Sequence, residues 1–159
     1  MSANLKEKIR AIARYVVENM DKDALYLLGP GTTTRTIADE LNVKKTLLGV
    51  DAVYHGKLVG EDLNERGIMN LLEKFVEAKI IVSPIGGQGF IFGRGNQEFS
   101  PKVIKSVGKK NVGIVATRGK VSKLQCLRVD TGDVEADEIL KGYIKVIANY
   151  NEEVMMRVV

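Results

Sequence analysis

Tryptophan is missing from this 159-residue sequence, and cysteine and histidine occur once each. With one cysteine, Cys126, no internal disulfide can form, and no cysteine-rich ligand set for a metal exists. Cys126 stands beside Leu127 and Val129 and reads as a small buried hydrophobe. Long apolar runs are missing too: nothing approaches the ~20 residues that a bilayer-spanning helix needs. Residues 1–20 mix charged and apolar side chains and present no small-residue cleavage site of a signal peptide. The protein is therefore expected in the cytoplasm, with no membrane partner. Aromatic residues make up only 6% of the chain. They are not interleaved with its basic residues and no recognition-motif spacing appears, so nucleic acid is not an expected partner.

What is present is the composition of one ordinary α/β domain, 45% hydrophobic and 28% charged. The net charge of +4 suits an anionic partner without choosing one. Lys102, Lys105, Lys109, Lys110, Arg118, Lys120 and Lys123 read as a solvated basic face.

Apolar residues from Leu5 to Met20 recur at helical spacing, with Lys6, Lys8, Arg10, Arg14 and Glu18 opposite, which predicts an amphipathic helix over 4–20. Ala24–Leu28, a glycine turn and Ile37, Ala38 and Leu41 predict strand, tight loop and helix. Thr46–Tyr54 and the segment from Lys57 predict a hairpin turned on His55-Gly56, a pair that tolerates positive φ. That turn accounts for the only histidine without catalysis, a ligand contact being the alternative. A helix over 68–76 and a strand over 79–82 follow. Ser100-Pro101 has the chemistry of an N-cap and first helical residue, predicting a helix to about Val107. Strands over 112–116 and 127–129, a helix over 134–140 capped by Asp133, and a hairpin of 143–148 with 154–158 complete the chain. The expected fold is a layered α/β domain over 1–159, with a mostly parallel sheet flanked by helices and an antiparallel C-terminal hairpin.

Two glycine-rich loops carry the candidate chemistry. In the first, Gly29-Pro30-Gly31-Thr32-Thr33-Thr34-Arg35 lies between a strand and a helix start, where unpaired backbone N–H groups and a partial positive charge suit phosphate. Gly29 and Gly31 would allow close approach, Thr32, Thr33 and Thr34 would add hydroxyls, and Arg35 could reach an anion. The loop ends without Gly-Lys-Thr and lacks G-x-G-x-x-G, and Thr33 or Thr34 as a plain helix cap is the alternative. In the second, Gly86-Gly87-Gln88-Gly89 through Gly93-Arg94-Gly95 puts five glycines into ten positions directly after a strand. Backbone approach to a ligand explains that density, with Arg94, Asn96 and Gln97 as polar heads. A tight bend burying Phe90, Ile91 and Phe92 is the alternative.

The second loop resembles the ATP-NAD kinase family, in which a strand runs into T-P-T-G-S-T-A-Y. Ser83-Pro84-Ile85-Gly86-Gly87-Gln88-Gly89-Phe90 follows that pattern at Ser83, Pro84, Gly86 and Phe90 and departs from it at Ile85, Gly87, Gln88 and Gly89. The chain is more similar to the divergent archaeal and bacterial branch labelled ATP-NAD kinase-like or AcoX-like. Segments 28–35, 47–52, 84–90, 93–97 and 129–133 all look like segments of that branch. The family's G-G-D-G-T motif, whose aspartate is taken as the base acting on the NAD ribose 2′-hydroxyl, is absent. Proline occupies the corresponding place in Gly29-Pro30-Gly31-Thr32. The resemblance thus implies the C-terminal part of a larger two-domain protein.

Three further groups are open. Asn64-Glu65, with Asp62, is similar to the Asn-Glu pair by which NAD kinases contact nucleotide, and is equally good helix-start chemistry. Asp130 and Asp133 follow a strand and could hold Mg²⁺ through water, or serve as turn and cap. Asp51 also follows a strand. The expected function is nucleotide binding in an NAD kinase-like phosphotransferase, with NAD and ATP or polyphosphate as substrates. A small phosphorylated ligand is the expected partner, along with an N-terminal kinase domain or a second copy of the chain. A sugar-phosphate or CoA-type isomerase or transferase, its base coming from Asp51 or Asp130, and a non-catalytic nucleotide-binding module are the alternatives.

Overall fold

The computed structural model describes residues 1–159. In chain order the elements are α1 (Ala3–Glu18), β1 (Leu25–Leu28), α2 (Thr32–Glu40), β2 (Val50–Tyr54), β3 (Lys57–Leu63), α3 (Glu65–Leu72), β4 (Ala78–Val82), β5 (Phe90–Phe92), α4 (Pro101–Val107), β6 (Val112–Val115), α5 (Arg118–Lys123), β7 (Arg128–Val129), α6 (Val134–Leu140), β8 (Gly142–Asn149) and β9 (Glu152–Val158). Seven strands form one sheet in the order β3-β2-β1-β4-β6-β8-β9. Strands β1, β4, β6 and β8 run parallel at its centre. Antiparallel strands close both sides, β2 and β3 at one edge and β9 at the other.

The central strands are apolar on both faces because both are covered. Leu25, Leu27, Ile80, Val82, Ile114 and Val146 face a core shared with α4 and α6. Tyr26, Leu28, Ile81 and Val115 point the opposite way, against Ile12, Ala13 and Val16 of α1 and Ile37 and Ala38 of α2. The alternation within Leu25–Leu28 is the period-two geometry of a strand dividing its side chains between two layers. Phe92 and Phe99 meet edge to face, 5.8 Å between centroids, in the first core.

Short-range chemistry sets several element ends. Ser100 Oγ accepts from the Val103 N–H at 3.3 Å with Pro101 as first helical residue, and Asp133 caps α6 through the Ala136 N–H at 2.9 Å. Ser100→Ala is expected to lower stability by about 1 kcal/mol, read as a shifted urea midpoint with unchanged m-value. His55 (φ 52°) and Gly56 (φ 71°) make the β2–β3 turn. His55 is exposed, stacking on Tyr54 at 4.1 Å and lying 3.6 Å from Asp23.

Two expectations are corrected. The third helix ends at Leu72, short of Val76: Phe75 folds back onto Tyr54 at 4.6 Å while Val76 is exposed, because the chain must turn to enter β4. Residues 46–49 are a loop instead of the start of β2, held there by the Asp51 carboxylate. Residues 118–123 form α5, and Phe90–Phe92 pairs with β7 in a separate two-stranded sheet.

Candidate functional site

The chain enters the sheet at its middle. From β1 it goes outward to β2 and β3, then returns to β4 on the other side of β1. The gap between β1 and β4 is a topological switch point, where loops leaving neighbouring strands diverge and open a crevice at the strands' carboxyl ends. The first glycine loop leaves β1 and the second leaves β4. Sequence spacing does not show that the two are neighbours; the strand order does.

In the first loop, Gly29 N–H donates to Ile81 O and Gly31 N–H to Leu47 O, both at 2.9 Å, which pins the loop between β4 and the 44–49 loop. Gly31 caps α2 without a side-chain bond, at φ 126° and ψ 168°, a region open essentially to glycine alone. The N–H groups of Thr32, Thr33 and Thr34 find no acceptor in the chain, as befits the first turn of a helix. Neither Thr33 nor Thr34 is the cap. Thr34 is fully buried, and its hydroxyl donates to Gly29 O at 2.6 Å with Gly31 O at 3.1 Å, so it braces the loop from behind. Thr32 and Thr33 line the crevice, while Arg35 lines an adjoining groove between α1 and α2.

In the second loop, Ile85 and Phe90 exchange backbone hydrogen bonds at 2.7 and 3.2 Å around a hairpin tip of Gly86-Gly87-Gln88-Gly89. Close packing explains three of the five glycines. A Cβ on Gly89 would meet Cys126 O at 3.0 Å, one on Gly95 would meet Ile85 at 3.0 Å, and one on Gly93 would run into the Asp130 carbonyl. Around Gly87 nothing lies within 4 Å, so no packing within the chain excludes a side chain there. Gly86, Gly87 and Gln88 are exposed at the tip, and Gln97 is exposed beyond the loop. Arg94 lies over Phe90 at 4.2 Å and pairs with Asp130 at 3.1 Å. Asn96 is fully buried and donates to Ile91 O at 2.9 Å, holding the loop's return, and its Oδ1 is unpartnered. Ile91 and Phe92 are buried as core.

The crevice is a cleft of about 480 Å³ lined by Pro30 to Thr33 of the first loop, Ser83 to Ile85 leading into the second, Val115 to Thr117 after β6, Lys120 of α5, and Met1, Leu5 and Ile9 at the start of the chain. Lys120 is its only charged side chain and no carboxylate lines it. The Lys120 ammonium donates to Gly86 O at 3.2 Å, tying α5 to the tip of the second loop. An ammonium has three donors, so two remain. The sequence alone places Lys120 in a solvated basic face. The signal that finds it is Thr117, the N-cap that starts α5 directly after β6 and aims that helix at the cleft.

The remaining candidates are committed elsewhere. Asp51 is fully buried and accepts from Thr46 N–H at 2.6 Å, Thr46 Oγ at 2.7 Å and Asp62 N–H at 2.8 Å. Buried Lys45 donates to Thr46 O and Gly49 O at 2.8 and 2.7 Å. Burial pushes its ammonium below the ordinary lysine range, the charges of Asp51 and Asp62 pull it back up, and that of Arg35 pushes it down. Asn64 caps α3 through the Gly67 N–H at 2.8 Å and Glu65 opens its first turn. The Ala136 N–H, then Lys105 at 3.2 Å, hold Asp133 below the usual carboxylate range. Asp130 pairs with Arg94 and Asp133 with Lys105, so each carboxylate already has a cationic partner. Nowhere do three or more His, Cys, Asp or Glu side chains gather as a metal site. No helix is long and apolar enough to cross a membrane.

No match was found among curated proteins or solved structures. The model of the ATP-NAD kinase C-terminal domain matches residues 21–158, which leaves outside it residues 1–20, α1 among them, and the last residue. The match runs through both glycine loops, the strands that carry them and Lys120, and the chain accordingly belongs to the ATP-NAD kinase C-terminal domain family.

Proposed function

We propose that this domain is the ligand-holding part of an NAD kinase-like phosphotransferase, binding NAD or a related phosphorylated acceptor in the cleft between the two glycine loops. ATP or polyphosphate is the donor, and the base that activates the acceptor hydroxyl comes from a G-G-D-G-T domain, in the same polypeptide or a partner one. The observation that carries this is the cleft's chemistry: free amides at the start of α2, hydroxyls of Thr32, Thr33, Ser83 and Thr117, one ammonium, and no carboxylate. Such a lining binds an anion and orients it, and supplies nothing that removes a proton. Around Gly87 there is room for a ligand to reach the backbone. The sugar-phosphate alternative needs a carboxylate base in the cleft, whereas Asp51 is buried under three hydrogen bonds and Asp130 is held by Arg94.

Calorimetric titration with NAD, NADP, ATP, ribose 5-phosphate and CoA tests the proposal. NAD or NADP is expected to bind, and Lys120→Met to weaken that binding roughly tenfold or more, since one charge-assisted hydrogen bond is worth about 1.5–3 kcal/mol. Lys120→Arg should retain most of it. Binding of ribose 5-phosphate alone would favour an isomerase, and silence towards every phosphorylated ligand would end the case for the loops.

A further inference from the structure

A second groove of about 380 Å³ lies beside the cleft, between α1 and α2, and Met1, Ile9 and Thr32 line both. Its walls carry Lys6 and Arg10, one turn apart on α1, and Arg35 on the first turns of α2. All three are exposed, and none takes part in any of the protein's seven ion pairs. Two carboxylates, Asp39 and Glu40, line the same groove, yet they sit about one turn further along α2, away from Thr32. The groove is therefore graded. Its Arg35 end lies nearer Thr32 and the cleft, and its acidic end lies one turn beyond Arg35. The three cations outnumber the two carboxylates, so the groove is net positive and an anion lying among them is favoured. Helix α1, with Lys6 and Arg10, lies outside the residues matched by the family model, and Arg35 lies inside them.

We propose that Lys6, Arg10 and Arg35 form an oligophosphate subsite, which takes the second and later phosphates of a ligand whose first phosphate lies in the cleft at Thr32. The inference rests on the cleft's being a phosphate site, as proposed above. A chain of three phosphates carries more charge than one lysine can balance, and the groove adds three positive groups along the line leading out of the cleft. A nucleoside triphosphate and an inorganic polyphosphate share this chemistry.

Titration of the full chain at low ionic strength with orthophosphate, pyrophosphate, tripolyphosphate, AMP and ATP tests it. The unaltered protein should bind tripolyphosphate about tenfold or more tighter than pyrophosphate. The double variant Lys6→Gln, Arg10→Gln should lose that increment and bind orthophosphate as before. Glutamine is a good helix former and both sites are exposed, so α1 should persist. Lys6→Ala with Arg10→Ala serves if the glutamine pair fails to fold. A loss seen with both ATP and tripolyphosphate supports a subsite for the phosphate chain of either source, and a loss with tripolyphosphate alone supports one for inorganic polyphosphate. Unchanged tripolyphosphate binding in the variant, or an equal loss for every ligand including orthophosphate, overturns the subsite. Failure of the unaltered protein to bind any of the five overturns the cleft as a phosphate site instead.

Discussion

Replacing Asp51 by alanine is expected to destabilise the protein by about 4 kcal/mol, a large share of the roughly 5–15 kcal/mol that holds a domain together. Its carboxylate is fully buried and accepts three hydrogen bonds, two from Thr46 and one from the Asp62 N–H. Alanine strands those donors and removes the negative charge that most favours the buried Lys45 ammonium. The 44–49 loop would lose its anchor, and with it the Leu47 carbonyl that receives the Gly31 N–H. Thermal unfolding should begin about 10 °C lower. Lys45→Met in the same chain should recover part of the loss, since the lysine charge is what the carboxylate offsets. A double-mutant cycle that finds the two substitutions additive would contradict this coupling.

Gly93→Ala should do comparable damage by another route. Gly93 has φ 94°, a conformation L-residues avoid, and a Cβ there would collide with the Asp130 carbonyl and lie 2.8 Å from Thr131 N. Backbone cannot swing aside as a long side chain can. The contact is where the second glycine loop passes the end of β7, with Asp130 N–H donating to Phe92 O at 3.1 Å. Separating them breaks the β5–β7 pairing, at an expected 3 kcal/mol or more. Ligand affinity should fall as well, because the Gly86–Gly89 tip stands on that small sheet. Gly87→Ala is the contrasting control. It meets no neighbour and needs no unusual φ, so it should leave stability unchanged while weakening ligand binding; unaltered affinity would show that no ligand approaches there.

Local chemistry was readable from the residues alone. Ser100-Pro101 and Asp133 mark helix starts because a cap bonds three residues ahead, and His55-Gly56 marks a turn because few pairs accept positive φ at both positions. The glycine loops were visible for the same reason. Features that depend on strand order were not. Lys120 is one lysine among many until α5 is known to follow a strand beside β4, and nothing in the spacing places Lys6 and Arg10 beside Arg35. Two residues chosen for ligand contact, Thr34 and Asn96, are instead buried braces. A hydroxyl or amide in a glycine loop serves the loop's own carbonyls as readily as a ligand, and only burial tells the two apart. The glycine count overstated the ligand's share too, since Gly89, Gly93 and Gly95 make room for the chain itself.

The small β5–β7 sheet is joined to the main sheet through Leu127, whose N–H donates to Arg157 O at 2.8 Å and whose carbonyl receives the Val159 N–H at 3.0 Å. Residues 157–159 are synthesised long after both glycine loops. During translation the first loop can gather around β1 and β4 early, yet the platform under the second stays unfinished until β9 has left the ribosome and docked. Completion of the cleft thus waits on β9, and nascent chains short of β9 pass through a stage with both loops present and the cleft between them not yet built.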